Sequence, residues 1–194
     1  MARTKEFDPE AALQSAMELF WRRGYEATSM ADLVAHLGIG RASLYATFGS
    51  KQELYLKALD RYGRAQNPVL TRELSQPGPV LPAVRAVVRR FAAEATAEAT
   101  REQGCLVTNT AVERAPHDAA AARRVEQSWD HVETLLHSAL VRARAQGELP
   151  AGRDPLALAR MLLVLLQGLR VVGKACADPA RVRDAAEQAL ALLD

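Results

Sequence analysis

"GIGRASLYATFGSKQEL", residues 38–54, opens on two glycines around one isoleucine. It continues as a short helix-like run with a tyrosine and a threonine, and ends on a Ser-Lys pair that starts another apolar run. Such glycines suit either a loop that cradles phosphate or a tight turn between two helices. A dinucleotide-binding loop needs a strand ahead and a third glycine behind, and a P-loop needs Gly-Lys-Ser/Thr behind. Ahead of this turn lies "SMADLVAHLG" (29–38), with Met30, Leu33, Val34 and Leu37 at helical spacing, and neither completion follows. A phosphate loop is therefore ruled out. Two short helices joined by a three- or four-residue turn make a helix-turn-helix, whose second helix enters the major groove of DNA.

Working outward, the local signals agree with that unit. Asp8 can cap, Pro9 suits a first helical position and Glu10 favours the positive helix end. Leu13, Ala16, Met17 and Phe20 then make one apolar face, Arg22 and Arg23 fall in the last turn, and Gly24 suits the stop. Ser29 with Asp32, and Ser50 with Glu53, have capping-box spacing, the second helix running to about Gln66. Leu33, Val34, Ile39, Leu44 and Phe48 can hold the angle between helices. That leaves Arg41, Ala42, Ser43, Tyr45, Ala46 and Thr47 facing outward over a recognition helix at about 41–48.

Four of the nine prolines fall in 67–82. This predicts a loosely structured connector, 67–81, between a DNA-binding unit, 1–66, and a C-terminal unit, 82–194. The helical period returns over 82–102, 105–114, 118–146, 155–176 and 179–193. In the third of these Val125, Trp129, Val132, Leu136 and Ala143 share a face, and in the last Val182, Ala186, Ala189, Leu190 and Leu193 do. The fold class is all-α, with about nine helices and no internal repeat. A composition rich in alanine, arginine and leucine, and poor in β-branched and aromatic residues, says the same.

The N-terminus lacks the apolar core of a secretory signal. The most apolar window, "ARMLLVLLQGLRVVGKACA", is broken by Gln167, Arg170 and Lys174 and falls short of a membrane span. Two distant cysteines make no disulfide framework. A soluble, cytoplasmic chain without a membrane partner is expected. The net charge is only +2, and residues 1–66 carry nine Lys/Arg against eight Asp/Glu. Nucleic-acid binding must therefore come from placed residues and helix ends rather than bulk charge.

The stretch "AMELFWRRGYEATSMADLVAHLGIGRASLYATFGSKQELYLKAL" (16–59) resembles the TetR family of bacterial transcriptional regulators, in motif, order and spacing together. One departure is Gly40 at the cap of the recognition helix, where Ser or Thr is common. Glycine brings no side-chain oxygen to a phosphate there. Free N–H groups and the positive dipole end meet at the helix starts near Ser29 and Ser50-Lys51. Thr28, Ser29, Tyr45, Thr47 and Lys51 are accordingly the candidates for phosphate contacts, and the resemblance supports Tyr45 and Lys51 in that role. Arg41 is the candidate for a guanine edge, with smaller contacts from Ala42, Ser43 and Ala46. Arg3 and Lys5, on an N-terminal arm, could reach a minor groove or flanking phosphates. The plainer alternatives are a packed Tyr45 and a solvated Arg41.

The resemblance also implies a helical C-terminal domain that dimerises and often holds an effector. "LLVLLQGLRVVGK" is apolar around most of its circumference and needs partners on several sides. Gly168 and Gly173 would allow another backbone close, and the last two helices are expected to form a self-complementary four-helix interface, unless they merely complete the core of one chain. "EQGCLVTNTAVER" (102–114) resembles a Gly-Cys-Leu segment of one subgroup. Cys105 at a helix start could be a reactive thiol, or an inert core residue. Cys176 is a weaker candidate. A pocket for an apolar, aromatic or electrophilic effector would draw on Phe91, Asn109, Trp129, His131 and Gln167, though each could equally be ordinary core or surface.

The histidines, at 36, 117, 131 and 137, make no metal signature, and no cofactor is expected. No catalytic constellation stands out, so an enzyme is not expected. The resulting expectation is a ligand- or redox-responsive regulator, most simply a repressor binding a palindromic operator in double-stranded DNA as a homodimer. Its rivals are a DNA-architectural protein with no effector, and a thiol enzyme built on Cys105.

Overall fold

A computed structural model describes residues 7–175 and 178–194, and no strand occurs among them. The first four helices are α1 (Pro9–Arg23), α2 (Met30–Leu37), α3 (Arg41–Phe48) and α4 (Lys51–Leu74). Their ends follow the capping chemistry written in the sequence. Asp8 accepts the Glu10 N–H at 2.8 Å. Both capping boxes close, Ser29 with Asp32 and Ser50 with Glu53. Gly24, at φ 85°, and Gly38, at φ 64°, take the left-handed turns that end α1 and α2.

Six helices follow: α5 (Val80–Thr96), α6 (Glu98–Arg101), α7 (Leu106–Glu113), α8 (Ala119–Ala145), α9 (Pro155–Ala175) and α10 (Ala180–Ala191). The described residues thus hold ten helices rather than about nine, because the stretch 82–102 breaks at Ala97, which is extended. Two hydroxyls favour the break: Thr96 donates to the Ala92 carbonyl and Thr100 to that of Glu94. Such side-chain bonds compete with helix continuation.

A second difference lies at residues 67–74, where a loose connector is expected and α4 is found instead. Pro68 costs the helix one N–H, but the carbonyl thereby freed belongs to exposed Arg64, where water can serve it. Burial of Leu70 and Leu74 supplies the offsetting term. Only the short 75–79 segment is left outside a helix.

Two apolar clusters result. One joins α1–α4, with Ala16, Phe20, Leu33, Leu54 and Tyr55 at its centre, and it also takes Cys105, Leu106 and Val107 and, from α8, Val125. The other holds Leu70, Leu74 and the inner faces of α5, α8, α9 and α10. α9 is long and apolar enough, by length and composition alone, to cross a bilayer (21 residues, mean hydropathy 1.7). Here it packs against both α5 and α8, burying Leu158, Leu162, Leu166 and Leu169. Its outer side leaves Val164, Val171 and Val172 exposed. Of the two α9 glycines, Gly173 serves the chain's own core, backed against Ala95 of α5, while Gly168 has open space.

Candidate nucleic-acid interface

α3 is short, and Gly40 caps it without a side-chain bond. Its position is set by burial: Leu44 and Phe48 go inward, with Ile39 of the turn and Leu33 of α2. The opposite face presents Arg41, Ala42, Ser43, Tyr45 and Ala46 to solvent, with Thr47 half-buried. Arg41 and Tyr45 form one unit, the guanidinium carbon lying 5.7 Å from the ring centroid. A base-reading candidate and a phosphate candidate thus share an exposed surface.

Flanking helix starts lie beside it. The Ser29 and Ser50 hydroxyls and backbone N–H groups hydrogen-bond Asp32 and Glu53, holding both carboxyls below the usual carboxylate range. Ser29 is exposed, but its hydroxyl is already engaged by Asp32. Thr28 differs from expectation: it is fully buried and donates to the Gly24 carbonyl at 2.7 Å. Its hydroxyl holds the turn instead of facing outward. Arg3 and Lys5 lie outside the described residues, as does Cys176.

Lys51 is positioned by a residue that sequence reasoning passed over. Its Nζ sits 4.0 Å from the centroid of the Tyr25 ring. The Arg114 guanidinium lies 4.2 Å from the same centroid. Cation–ring attraction thus ties Lys51 and α7 to one aromatic side chain. The neighbouring Glu113 carboxylate accepts the N–H groups of Tyr25 at 3.0 Å and Glu26 at 2.9 Å. Arg114 bridges Glu26 and Asp118, and Gln52 of α4 donates to Asp118. Burial pushes the Asp118 carboxyl up, but the Ala121 and Ala120 N–H groups, Arg114 and Gln52 outweigh it and hold the carboxyl below its ordinary value. This clasp joins residues nearly ninety positions apart in the sequence, so no local pattern announces it.

At the other end of α7 lies a cavity. An inner chamber of about 50 Å³ is lined by Phe91, Cys105, Trp129 and Gln167, four candidates that the fold brings together. It shares Tyr62, Gln66 and Arg170 with an outer chamber of about 230 Å³. Gln167 accepts a hydrogen bond from Thr108 of α7 at 2.7 Å. Asn109 and His131 line neither chamber. The Asn109 amide instead donates to the Gln103 carbonyl and its oxygen faces Lys174. Cys105 is buried at the start of α7, with the Tyr62 hydroxyl 3.5 Å from its sulfur. Burial pushes the thiol up, but the Arg170 charge, Tyr62 and Thr108 outweigh it and bring the thiol below its ordinary value.

Comparison with known proteins agrees with this geometry. Residues 12–58 match the family model of bacterial regulatory proteins, tetR family, and residues 80–189 match a tetracyclin repressor-like C-terminal domain. The chain is 38% identical to the uncharacterized HTH-type transcriptional regulator YezE of Bacillus subtilis (strain 168), over the full length of both. It is 32% identical to the HTH-type transcriptional repressor ComR of Escherichia coli (strain K12), covering 87% of this chain and 80% of that one. Among solved structures it resembles a cysteine mutant of the TetR family regulator CifR complexed with 26-bp operator DNA. That likeness covers all of both chains, at 30% identity and a TM-score of 0.86. An outward-facing α3, a matching C-terminal domain and full-length relatives lead to one conclusion: the chain belongs to the TetR family of helix-turn-helix transcriptional regulators.

Proposed function

We propose that the protein is a repressor that grips a palindromic operator as a homodimer in the cytoplasm and lets go when a small molecule enters the α7 cavity. The observation that carries this reading is the outward face of α3, where Arg41 and Tyr45 stand exposed on a buried Leu44–Phe48 base. Residues 1–66 supply the DNA-binding part, and 82–194 the effector and dimer part. Its role is regulatory, not enzymatic. Selection of bound duplexes from random DNA tests it. An enriched palindrome is expected, whereas binding without sequence preference favours an architectural protein and ends the repressor reading.

Contacts divide by role. Arg41→Ala should weaken binding to the selected duplex by about 1–3 kcal/mol and relax preference at one position. Lys51→Ala should weaken all duplexes alike and reduce the salt slope by about one unit, read by filter binding across a salt series. A parental slope would remove Lys51 from the phosphate contacts.

Dimerisation falls to the outer side of α9 and the end of α10, where Val164, Val171, Val172 and, just past α10, Leu192 stay exposed. An apolar face of this kind suits a self-complementary interface, and two recognition helices are what a palindrome requires.

Cys105 gives the cavity a second mode of response. Its lowered pKa favours the thiolate, the form that attacks electrophiles, although the sulfur is buried. Release of DNA by a mild electrophile should be lost in Cys105→Ser and kept in the parent. Equal release by both proteins would leave Cys105 as packing alone.

A further inference from the structure

The two chambers beside α7 hold arginines, not all of which have a carboxylate partner among the described residues. Arg90 and Arg170 line the inner one without any Asp or Glu, and Arg101 and Arg170 line the outer one with Glu94. Arg90 is already paired, with Glu73 at 2.8 Å and Glu94 at 2.6 Å, so the Glu94 carboxylate is engaged as well. Arg170 is half-buried on α9. Among the described residues it has no carboxylate partner, and its guanidinium carbon rests 4.2 Å from the Phe91 ring centroid. Half-buried rather than stranded, the guanidinium has no carboxylate to occupy its N–H groups and can offer them to an anion. Trp129 adds a second unmet donor, for its indole N–H is buried without an acceptor and its ring lines the inner chamber. The wall beside them is mixed, apolar at Phe91, Val107 and Val132 and polar at Gln66, Asn67, Ser128 and Gln167.

These features ask for a ligand rich in acceptors at one end and apolar at the other. We propose that the chambers bind a small monocarboxylate with an apolar or aromatic body, its carboxylate on the Arg170 guanidinium and its body along Phe91 and the neighbouring valines. A guanidinium offers two parallel N–H groups to a planar carboxylate. The inference rests on reading the cavity as the effector site. Gln167, three residues before Arg170 on α9, accepts the bond from Thr108, so an anion at Arg170 lies next to the contact between α9 and α7.

The test uses the full-length protein and its two tryptophans, of which Trp21 lines the outer chamber and Trp129 the inner one. Benzoate, phenylacetate and butyrate are titrated against the matching neutral amides, following indole fluorescence and thermal unfolding. At least one acid should bind saturably and about 10-fold or more tighter than its amide. Arg170→Gln should erase that gap and Arg170→Lys retain part of it. The anion site is overturned if every acid binds more weakly than about 10 mM, if the amide binds equally well, or if Arg170→Gln keeps the preference. The parental comparison of acid with amide decides alone if a variant fails to fold. Release of a duplex selected from random DNA is followed in parallel. An acid that binds without releasing DNA upholds the anion site and removes the effector reading. A neutral ligand that releases DNA while no acid binds does the reverse.

Discussion

Gly173→Ala is expected to lower the stability of the fold by about 3 kcal/mol, read as a shifted urea midpoint at constant m-value. A Cβ built at Gly173 would lie 2.3 Å from the Ala95 carbonyl oxygen and 2.8 Å from the Ala95 Cβ. Neither neighbour is the end of a flexible side chain, so α5 or α9 must move bodily. Both helices carry buried leucines and valines across the C-terminal core, and a shift there loosens many contacts together. Gly63→Ala is the matched comparison. It lies within α4, with open space around a new Cβ, and should gain about 0.5–1 kcal/mol from reduced chain freedom. An unchanged midpoint for Gly173→Ala would show that α5 and α9 do not approach this closely.

Glu113→Ala should weaken DNA binding about 10-fold, near 1.4 kcal/mol, and cost about 2 kcal/mol of stability. The carboxylate receives two backbone N–H groups, from Tyr25 and Glu26, and alanine leaves both without that acceptor. Tyr25 would then be freer, and with it the ring on which Lys51 rests. Glu113→Gln keeps one carbonyl oxygen and should fall between the two. Fluorescence anisotropy with a selected duplex reads affinity, and thermal unfolding reads stability. Parental affinity in Glu113→Ala would mean that the clasp does not hold the DNA-binding surface in place.

The helix-turn-helix was legible because its determinants are local. Asp8, the Ser29–Asp32 and Ser50–Glu53 boxes, and the glycines at 24 and 38 each act within four residues, and each acts as its spacing implies. Local reasoning failed where burial, or a side-chain hydroxyl, outweighed a backbone preference. Pro68 reads as a breaker, yet Leu70 and Leu74 carry α4 past it. Ala97 reads as a helix former, yet the hydroxyls of Thr96 and Thr100 break the helix around it. Around the cavity, Cys105, Trp129 and Gln167 stand out as candidates from composition and context, whereas Tyr62, Gln66 and Arg170, which line it too, do not. Their meeting depends on how α4, α7, α8 and α9 cross. Thr28 looked like a surface hydroxyl beside a helix start, but the tight Gly24 turn folds it inward. The Tyr25–Glu113–Arg114 clasp had no sequence signal at all.

Cys105, Leu106, Val107 and Val125 pack into the cluster formed by the first four helices. During synthesis, a chain released only as far as residue 66 therefore has part of that surface bare. The cluster under the DNA-binding helices is complete only after Val125 has cleared the ribosome, and the cavity later still, once Gln167 and Arg170 have followed.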